Sequence, residues 1–425
     1  MTELAGDLAR ATALDAADPL KGLRADFRLP EGADGRPAIY LCGNSLGPLP
    51  LAAEARVRGV LADWGRLAVR GHHSGGEPWL NVHERFAAPL ARLVGAAPGE
   101  VVAMNSLTVN LHLLMTSFYR PSGARHRILI ERSAFPSDRY AVVSQLRLHG
   151  FDAVQSLIEV GPRAGEDLLR GADLLEAIER AGDSLALVLL PGVQYLSGQL
   201  LDIAALTAAA RRHGTAVGWD LAHAIGNVPL ALHDSGADFA VWCSYKYLCG
   251  GPGADAGAFV HERHAHAGSL PRLAGWWGHD AATRFDMAPD FVPMQGAAGW
   301  QLSNPPVLAL APLGAALALF DAAGLARLRE KSLALTGLLR ELIERQCAGR
   351  IDVITPRADA EHGAQLSLRV RAGQGQAVFA RLAAAGVIGD WREPDVIRLT
   401  PAPLYNTFVE VEHAAQQLAR ALEAA

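Results

Sequence analysis

Between about residues 100 and 262, short β-rich runs alternate with helical stretches, and no other feature of the 425-residue chain restricts its fold as much. Arg127-Ile128-Leu129-Ile130-Glu131 reads as a strand and Ser184 to Leu190 as a fully buried one. Thr215 to Trp219, Asp238 to Cys243 and Ala256 to Val260 read as three more. Helical patterns separate them: Ser137 to Leu148, Asp173 to Ala181 and Ile203 to His213. Gly150, Gly182 and Gly214 each follow a helix, where a left-handed residue is wanted. Such alternation implies an α/β fold, a mainly parallel sheet with helices on both faces.

The last hundred residues have another rhythm. A long helical region runs from Val307 toward Arg345 with a break expected near Gly324. Ile351 to Ile354, Gln365 to Val370 and Val396 to Leu399 read as strands of a smaller α+β domain, closed by a helix from Phe408 to about Leu422. The expected division is an N-terminal segment (1–50) packing with the small domain, a large domain (51–310) and a small C-terminal domain (311–425). Half of the residues are hydrophobic, enough for two sizeable cores. Net charge is −5 with no polybasic block, so neither nucleic acid nor an anionic membrane is expected as a partner. Met1 to Leu20 lacks the basic and apolar regions of a secretory signal, and Val307 to Phe320 is too short to span a bilayer. Cys42, Cys243, Cys249 and Cys347 show no pairing motif, which fits a reduced cytoplasmic enzyme.

In an open α/β sheet, ligands bind beyond the carboxyl ends of the strands. Phe135, Pro136, Ser137 and Asp138 follow the first strand; Pro191, Gly192, Val193 and Gln194 follow the second. Asp220, Leu221, Ala222 and His223 follow the third, and Ser244, Tyr245 and Lys246 the fourth. Asp220 alone would more often be a helix N-cap, and His223 alone an ordinary buried histidine. Their convergence on one sheet edge points to chemistry.

Lys246 sharpens the point, because the chain has three lysines against 36 arginines. Arg supplies charge almost everywhere, yet only Lys can become a neutral, nucleophilic amine able to form a Schiff base. Pyridoxal phosphate needs this company: a lysine for its aldehyde, a carboxylate against its ring nitrogen and an aromatic face to stack on. Its phosphate needs N–H groups and hydroxyls at a helix start, which Asn105-Ser106-Leu107-Thr108, ahead of the helical run Val109 to Phe118, can provide.

With those residues assembled, the chain resembles the kynureninases, fold-type-I pyridoxal-phosphate enzymes, from about Tyr40 to Phe408. The blocks that carry the resemblance are Gly43-Asn44-Ser45-Leu46-Gly47, Leu107-Thr108-Val109-Asn110-Leu111-His112 and Phe135-Pro136-Ser137-Asp138. Asp220-Leu221-Ala222-His223-Ala224, Ser244-Tyr245-Lys246-Tyr247 and Gly275-Trp276-Trp277-Gly278-His279 continue it, followed by Ser303-Asn304-Pro305-Pro306 and Pro403-Leu404-Tyr405-Asn406. The resemblance implies that Lys246 holds the cofactor and moves protons, that Asp220 and Asp138 approach the ring nitrogen, and that Phe135 stacks on the ring. It implies phosphate contacts from the Leu107 backbone, Thr108 and Tyr245, with Pro136 and Ser137 in the same cofactor-binding turn and His223 orienting the network. Trp276 and Asn304 would come from the second subunit of a homodimer. Ser45, His72, Asn304 and Arg398 would meet substrate, Arg398 gripping its α-carboxylate with a two-pronged guanidinium. At Pro191, where some relatives carry a hydroxyl residue, only a carbonyl is on offer. The implied reaction is hydrolysis of L-kynurenine or its 3-hydroxy form to an anthranilate and L-alanine, in tryptophan degradation; Tyr245 is our own hypothesis for its proton donor.

Other signals are weaker. His261, His264 and His266 suggest a metal, but no carboxylate or thiol completes a plausible shell, and no metal is expected. Gly250-Gly251-Pro252-Gly253 lacks a P-loop's lysine and reads as a turn closing behind Lys246. The competing functions are a cysteine desulfurase or small-amino-acid transaminase on the same scaffold, or a catalytically silent cofactor-binding regulator. A desulfurase needs a mobile thiol, and Cys347 stands at a helix end. A regulator needs a partner domain or basic DNA-binding element, which the chain lacks.

Overall fold

The structure is a computed structural model that describes residues 2–32, 35–265 and 270–424. Its central feature is a seven-stranded sheet in the spatial order Val101–Ala103, Gly257–Val260, Phe239–Trp242, Ala216–Asp220, Leu185–Pro191, Arg127–Glu131, Leu157–Val160. The five strands from Phe239–Trp242 to Leu157–Val160 pair in parallel. Gly257–Val260 and Val101–Ala103 complete the sheet through antiparallel pairings. The five strands anticipated from composition fall within a residue or two of their expected bounds. Leu157–Val160 and Val101–Ala103 are additions.

Side-chain alternation at period two divides this sheet between two cores. Ile128, Ile130, Phe239, Val241, Ala258 and Val260 face the helices Leu107–Phe118 and Pro136–Leu148. Leu129, Ala240, Trp242 and Phe259 face the other way, toward Gly171–Ala181, Ile203–Arg212 and Val307–Ala323. Both faces are covered, which is why Leu185 to Leu190 is an unbroken buried apolar run. The glycines behind the helices take positive φ as expected, although Gly182, with ψ −131°, lies outside the left-handed helical region.

The chain crosses from Arg127–Glu131 outward to Leu157–Val160, then returns to the opposite side of Arg127–Glu131 as Leu185–Pro191. Strand order therefore reverses between these two neighbours, opening a crevice at their carboxyl ends.

Beyond Gly324 (φ 77°) the helix Leu325–Gln346 leaves Val307–Ala323 at 85°. No single helix among the described residues is long and apolar enough to cross a membrane. Helix Val307–Ala323 belongs to the large core through Leu310, Leu313, Leu317 and Phe320, whereas Leu335, Leu339 and Leu342 join a second core. That core lies under a four-stranded antiparallel sheet ordered Ile351–Val353, Leu366–Val370, Val396–Leu399, Asp390–Arg392. Ala11 of the N-terminal helix is buried there. Asp15 of the same helix accepts the backbone N–H groups of Phe408 (2.7 Å) and Val409 (3.0 Å), so a distant carboxylate caps the closing helix Phe408–Glu423 beside its own Thr407–Glu410 capping box.

Candidate active site

A cavity lies at the crevice where strand order reverses. Leu107, Thr108, Phe135, Ser137, Asp138, Pro191, Asp220, His223, Tyr245 and Lys246 all line it, joined by Glu131, Val193, Tyr195 and Ala222. It encloses about 550 Å3, its open mouth included, within the range of small-molecule sites.

Lys246 sits in the turn after Phe239–Trp242, half-buried, with Nζ 3.0 Å from His223 Nε2. An ammonium has no lone pair, so in that state His223 accepts at Nε2. Burial, reinforced by the Lys246 charge, holds the imidazole well below its ordinary pKa, and the ring stays neutral. The His223 carbonyl is anchored by Asn227 Nδ2 at 2.8 Å.

Two glycines let a distant segment brace this turn. Gly47 donates its N–H to the Tyr245 carbonyl at 2.8 Å. A Cβ on Gly47 would stand 2.6 Å from Cys249 Sγ and from the Lys246 carbonyl, and one on Gly43 would stand 2.1 Å from the Tyr405 hydroxyl. The Gly43–Gly47 and Pro403–Asn406 blocks thus meet for packing reasons: Asn406 donates from Nδ2 to the Tyr40 carbonyl (3.1 Å), and Asn44 donates to Gln365 Oε1 (2.9 Å). On the other side, Gly250 N–H reaches the Ser244 carbonyl at 2.8 Å, making the glycine-rich stretch the expected closing turn.

Facing Lys246 are carboxylates. Asp220 accepts the Ala222 N–H at 2.7 Å through Oδ1. Asp138, in the first turn of Pro136–Leu148, has Oδ1 buried without a partner. Burial, then the charge of Asp220, raises its pKa well above the carboxylate range. At the other end, the helix Leu107–Phe118 starts two residues before the expected Val109, and its N-cap Ser106 makes no side-chain cap bond. Its first N–H groups lie beside a hydroxyl pair, Thr108 Oγ1 and Ser137 Oγ, 2.8 Å apart. Asn105, just before, holds φ 54°, an uncommon left-handed turn for a residue with a side chain. Uncapped N–H groups plus hydroxyls form an anion cradle. Phe135 is 41% exposed along the cavity, and its ring meets that of Tyr195 edge-on at 5.4 Å. Lys246 Nζ is 5.8 Å from the Phe135 ring centre. An amine, an acid with a free oxygen opposite it, an anion cradle and a reachable aromatic face together fit the donor set of pyridoxal phosphate.

Six expected site residues do not line this cavity; one of them, Pro136, opens the helix Pro136–Leu148 between the lining residues Phe135 and Ser137. Trp276 is 45% exposed, donates Nε1 to the Arg284 carbonyl at 3.0 Å and stands edge-on to the buried Trp277. Asn304 lines a separate cleft with Asn105, Ser106, Asp255 and Ser303. His72 packs edge-on to Trp79 at 5.6 Å, and the Ser45 N–H is bonded to the Cys42 carbonyl at 3.0 Å. Arg398 is fully buried, pairs with Asp390 and donates to the Tyr195 carbonyl; its Nε has no partner. Pro191 ends its strand and lines the cavity.

Sequence reading placed Val193 and Ala222 at this edge without giving them a role, and passed over Glu131 and Tyr195 as cavity residues. Glu131 had a usable signal, since a charged residue closing a buried strand at the ligand-binding edge is unusual. The histidine cluster needs correcting too. A carboxylate does stand beside His261: Glu100, which also meets His233 Nδ1 at 3.0 Å. Glu100 already accepts the N–H groups of Ala97 and Glu262, and His261 Nδ1 accepts that of Arg263, so the lone pairs are largely committed to structure. His264 pairs with Asp238 instead, and His266 lies outside the described residues.

Comparison with known proteins gives a consistent picture. A family model described as the kynureninase C-terminal domain matches residues 328–418. A protein named kynureninase from Myxococcus xanthus (strain DK1622) is 57% identical over 401 residues, 94% of either chain. One of the same name from Stenotrophomonas maltophilia (strain K279a) is 56% identical over 414 residues, 96% of either. Among solved structures, an apo cysteine desulfurase from Thermococcus onnurineus NA1 superimposes with a TM-score of 0.78 at 16% identity, covering 95% of this chain and 98% of that one. A mutant of C-DES, with glycine covalently linked to its pyridoxal-phosphate cofactor, gives 0.75 at 18% identity, covering 90% and 96%. At such identities the structural matches establish the fold, and the fold is that of fold-type-I enzymes.

Proposed function

The chain belongs to the kynureninase family, and from that membership we propose that it hydrolyses L-kynurenine, or its 3-hydroxy form, at the Cβ–Cγ bond to an anthranilate and L-alanine. The observation that carries the reading is one cavity holding Lys246 against a neutral His223, two carboxylates opposite and an anion cradle at the far end. Pyridoxal phosphate, when bound, supplies an aldehyde that condenses with amines and a ring that accepts electrons released from the substrate.

The chain's own residues do the rest. Lys246 Nζ anchors the cofactor and, once released by substrate, takes and returns the proton at the substrate α-carbon. His223 stays neutral beside it and can share that proton without adding charge. Asp220 and Asp138 hold a proton at the ring nitrogen. The first N–H groups of Leu107–Phe118, Thr108, Ser137 and Pro136 at its turn secure the phosphate end. Arg398 takes the substrate carboxylate through its unpartnered Nε edge, and Ser45 and His72 border the aromatic part. Water adds to the γ-carbonyl, and the Tyr245 phenol, pushed above its ordinary pKa by burial and by Cys243, keeps its proton as a donor. Tyr245→Phe is expected to lower kcat of the cofactor-saturated enzyme by about 100-fold and to weaken cofactor binding through the lost phosphate contact, read by anthranilate fluorescence and absorbance titration. Native turnover in that variant would remove Tyr245 from the reaction.

A desulfurase reading fares worse, because Cys347 is 1% exposed in the small core and its thiol is pushed up to about 11 by burial. Incubation with L-kynurenine should release fluorescent anthranilate and alanine together; neither product from cofactor-loaded protein would refute the function.

Trp276 and Asn304 are best explained as contributions to a second copy's site. The apolar groove of Val60, Trp64, Trp79, Val307 and Leu308, with Trp64 58% exposed, suits a homodimer surface. Mixing Lys246→Ala with Asn304→Ala subunits, each nearly inactive alone, should restore roughly a quarter of wild-type activity through heterodimers with one intact site. A mixture no better than the sum of its parts would place both residues in one chain's site. The four cysteines are unpaired, in keeping with a cytoplasmic enzyme.

A further inference from the structure

The cavity contains a third carboxylate with no role so far. Glu131 closes the strand Arg127–Glu131, is 2% exposed and lines the same wall as Asp138 and Asp220. Its Oε1 has one long contact, 3.4 Å from Gln194 Nε2, and Oε2 has no partner. Gln194 cannot turn away, because its own oxygen accepts the N–H groups of Leu196 and Ser197, both at 2.7 Å. Glu131 is thereby held against the loop that carries Tyr195, whose carbonyl holds Arg398.

The surrounding charges are mostly of the wrong sign. Asp138 comes from the helix after Glu131, Asp220 from the strand beyond Leu185–Pro191, and the Tyr195 phenol from the loop. Lys246 and His223 share the cavity, but Lys246 Nζ is bonded to His223. On the adjacent strand, Glu159 is taken by Arg139. Among the described residues Glu131 forms no ion pair. Three carboxylates lining one cavity that holds a single lysine disfavour three full charges, and burial favours the neutral acid at Glu131.

We propose that Glu131 is a positioning residue of this site: it stands behind Asp138 and Asp220 as a neutral acid and sets how much negative charge the cofactor ring and Lys246 experience. Burial, with Asp220 adding to it, lifts the Glu131 carboxyl to about 8. Below that pH the cluster carries an extra proton. Above it, a further negative charge develops and favours the protonated form of the Lys246–cofactor linkage.

The inference rests on the cofactor being linked to Lys246, and the experiment separates the two. Wild-type and Glu131→Gln holoenzymes are first reduced with borohydride and mapped; label elsewhere than Lys246 would overturn the cofactor assignment. Visible absorbance is then titrated from about pH 6 to about pH 10. Wild type should show a component near pH 8 that is absent from Glu131→Gln. The linkage of the variant should lose its proton about half a unit lower, roughly threefold in proton affinity. A merely structural role would leave the midpoints of both curves unchanged.

Thermal unfolding between about pH 5 and about pH 9 reads the same group even where cofactor is lost. The folded-state pKa of about 8 lies above the ordinary 4.5, so the folded protein keeps a proton that the unfolded chain releases, and wild-type stability falls as pH rises through that window. Glu131→Gln and Glu131→Leu should both flatten that slope. Superimposable titrations with label on Lys246, or parallel unfolding slopes, would overturn the proposal.

Discussion

Lys246→Ala should lower kcat on kynurenine by at least about 10,000-fold while shifting the melting temperature by only a few degrees. The amine is the one group in the cavity that can condense with an aldehyde and afterwards carry a proton. Its fold contribution is small: it is half-buried, and its side chain meets His223 and two ring faces. Lys246→Arg should be as inactive, since a guanidinium keeps its charge and cannot condense. Single-turnover anthranilate release together with calorimetry checks both variants. Loss of less than about 100-fold in either would mean that another group performs the proton transfer.

The second large effect is expected at Asp220. Asp220→Asn keeps the shape and the acceptor for the Ala222 N–H but removes the charge, and kcat/KM should fall by about 100- to 1,000-fold. The loss should be coupled to Asp138. Asp220 is the second cause, after burial, of the raised Asp138 pKa, so without it Asp138 ionises more readily and takes over part of the role. The double variant Asp138→Asn/Asp220→Asn should then lose more than the two single changes together, with a coupling of at least about 1 kcal/mol. Simple additivity would show that the two acids act on separate parts of the reaction.

Fold class and most of the cavity wall were legible in the chain because buried parallel strands announce themselves as apolar runs, and the residues just after them must lie at one edge. The strand Leu157–Val160 escaped for the opposite reason. It is an edge strand, half-buried throughout, with Glu159 held outward by Arg139. Missing it concealed the reversal of strand order, which is what places the crevice between Glu131 and Pro191. Val101–Ala103, three residues long, is too short to give a pattern. Glu131 looked like the end of a strand because a sequence cannot show that its carboxyl lacks a partner. Trp276 and Asn304 were expected only through resemblance, and both lie outside the cavity of the single chain.

Residues 41–47 act as a ruler. At one end the Leu41 carbonyl accepts the Thr400 N–H at 2.8 Å, just past the strand Val396–Leu399 that carries Arg398; at the other, the Gly47 N–H holds the turn of Lys246 at 2.8 Å. The segment just after Arg398 and the turn of Lys246 are thus tied to one short strap, and its length fixes their separation. Inserting or deleting one residue in the strap is expected to change the separation of Arg398 and Lys246 without touching either side chain.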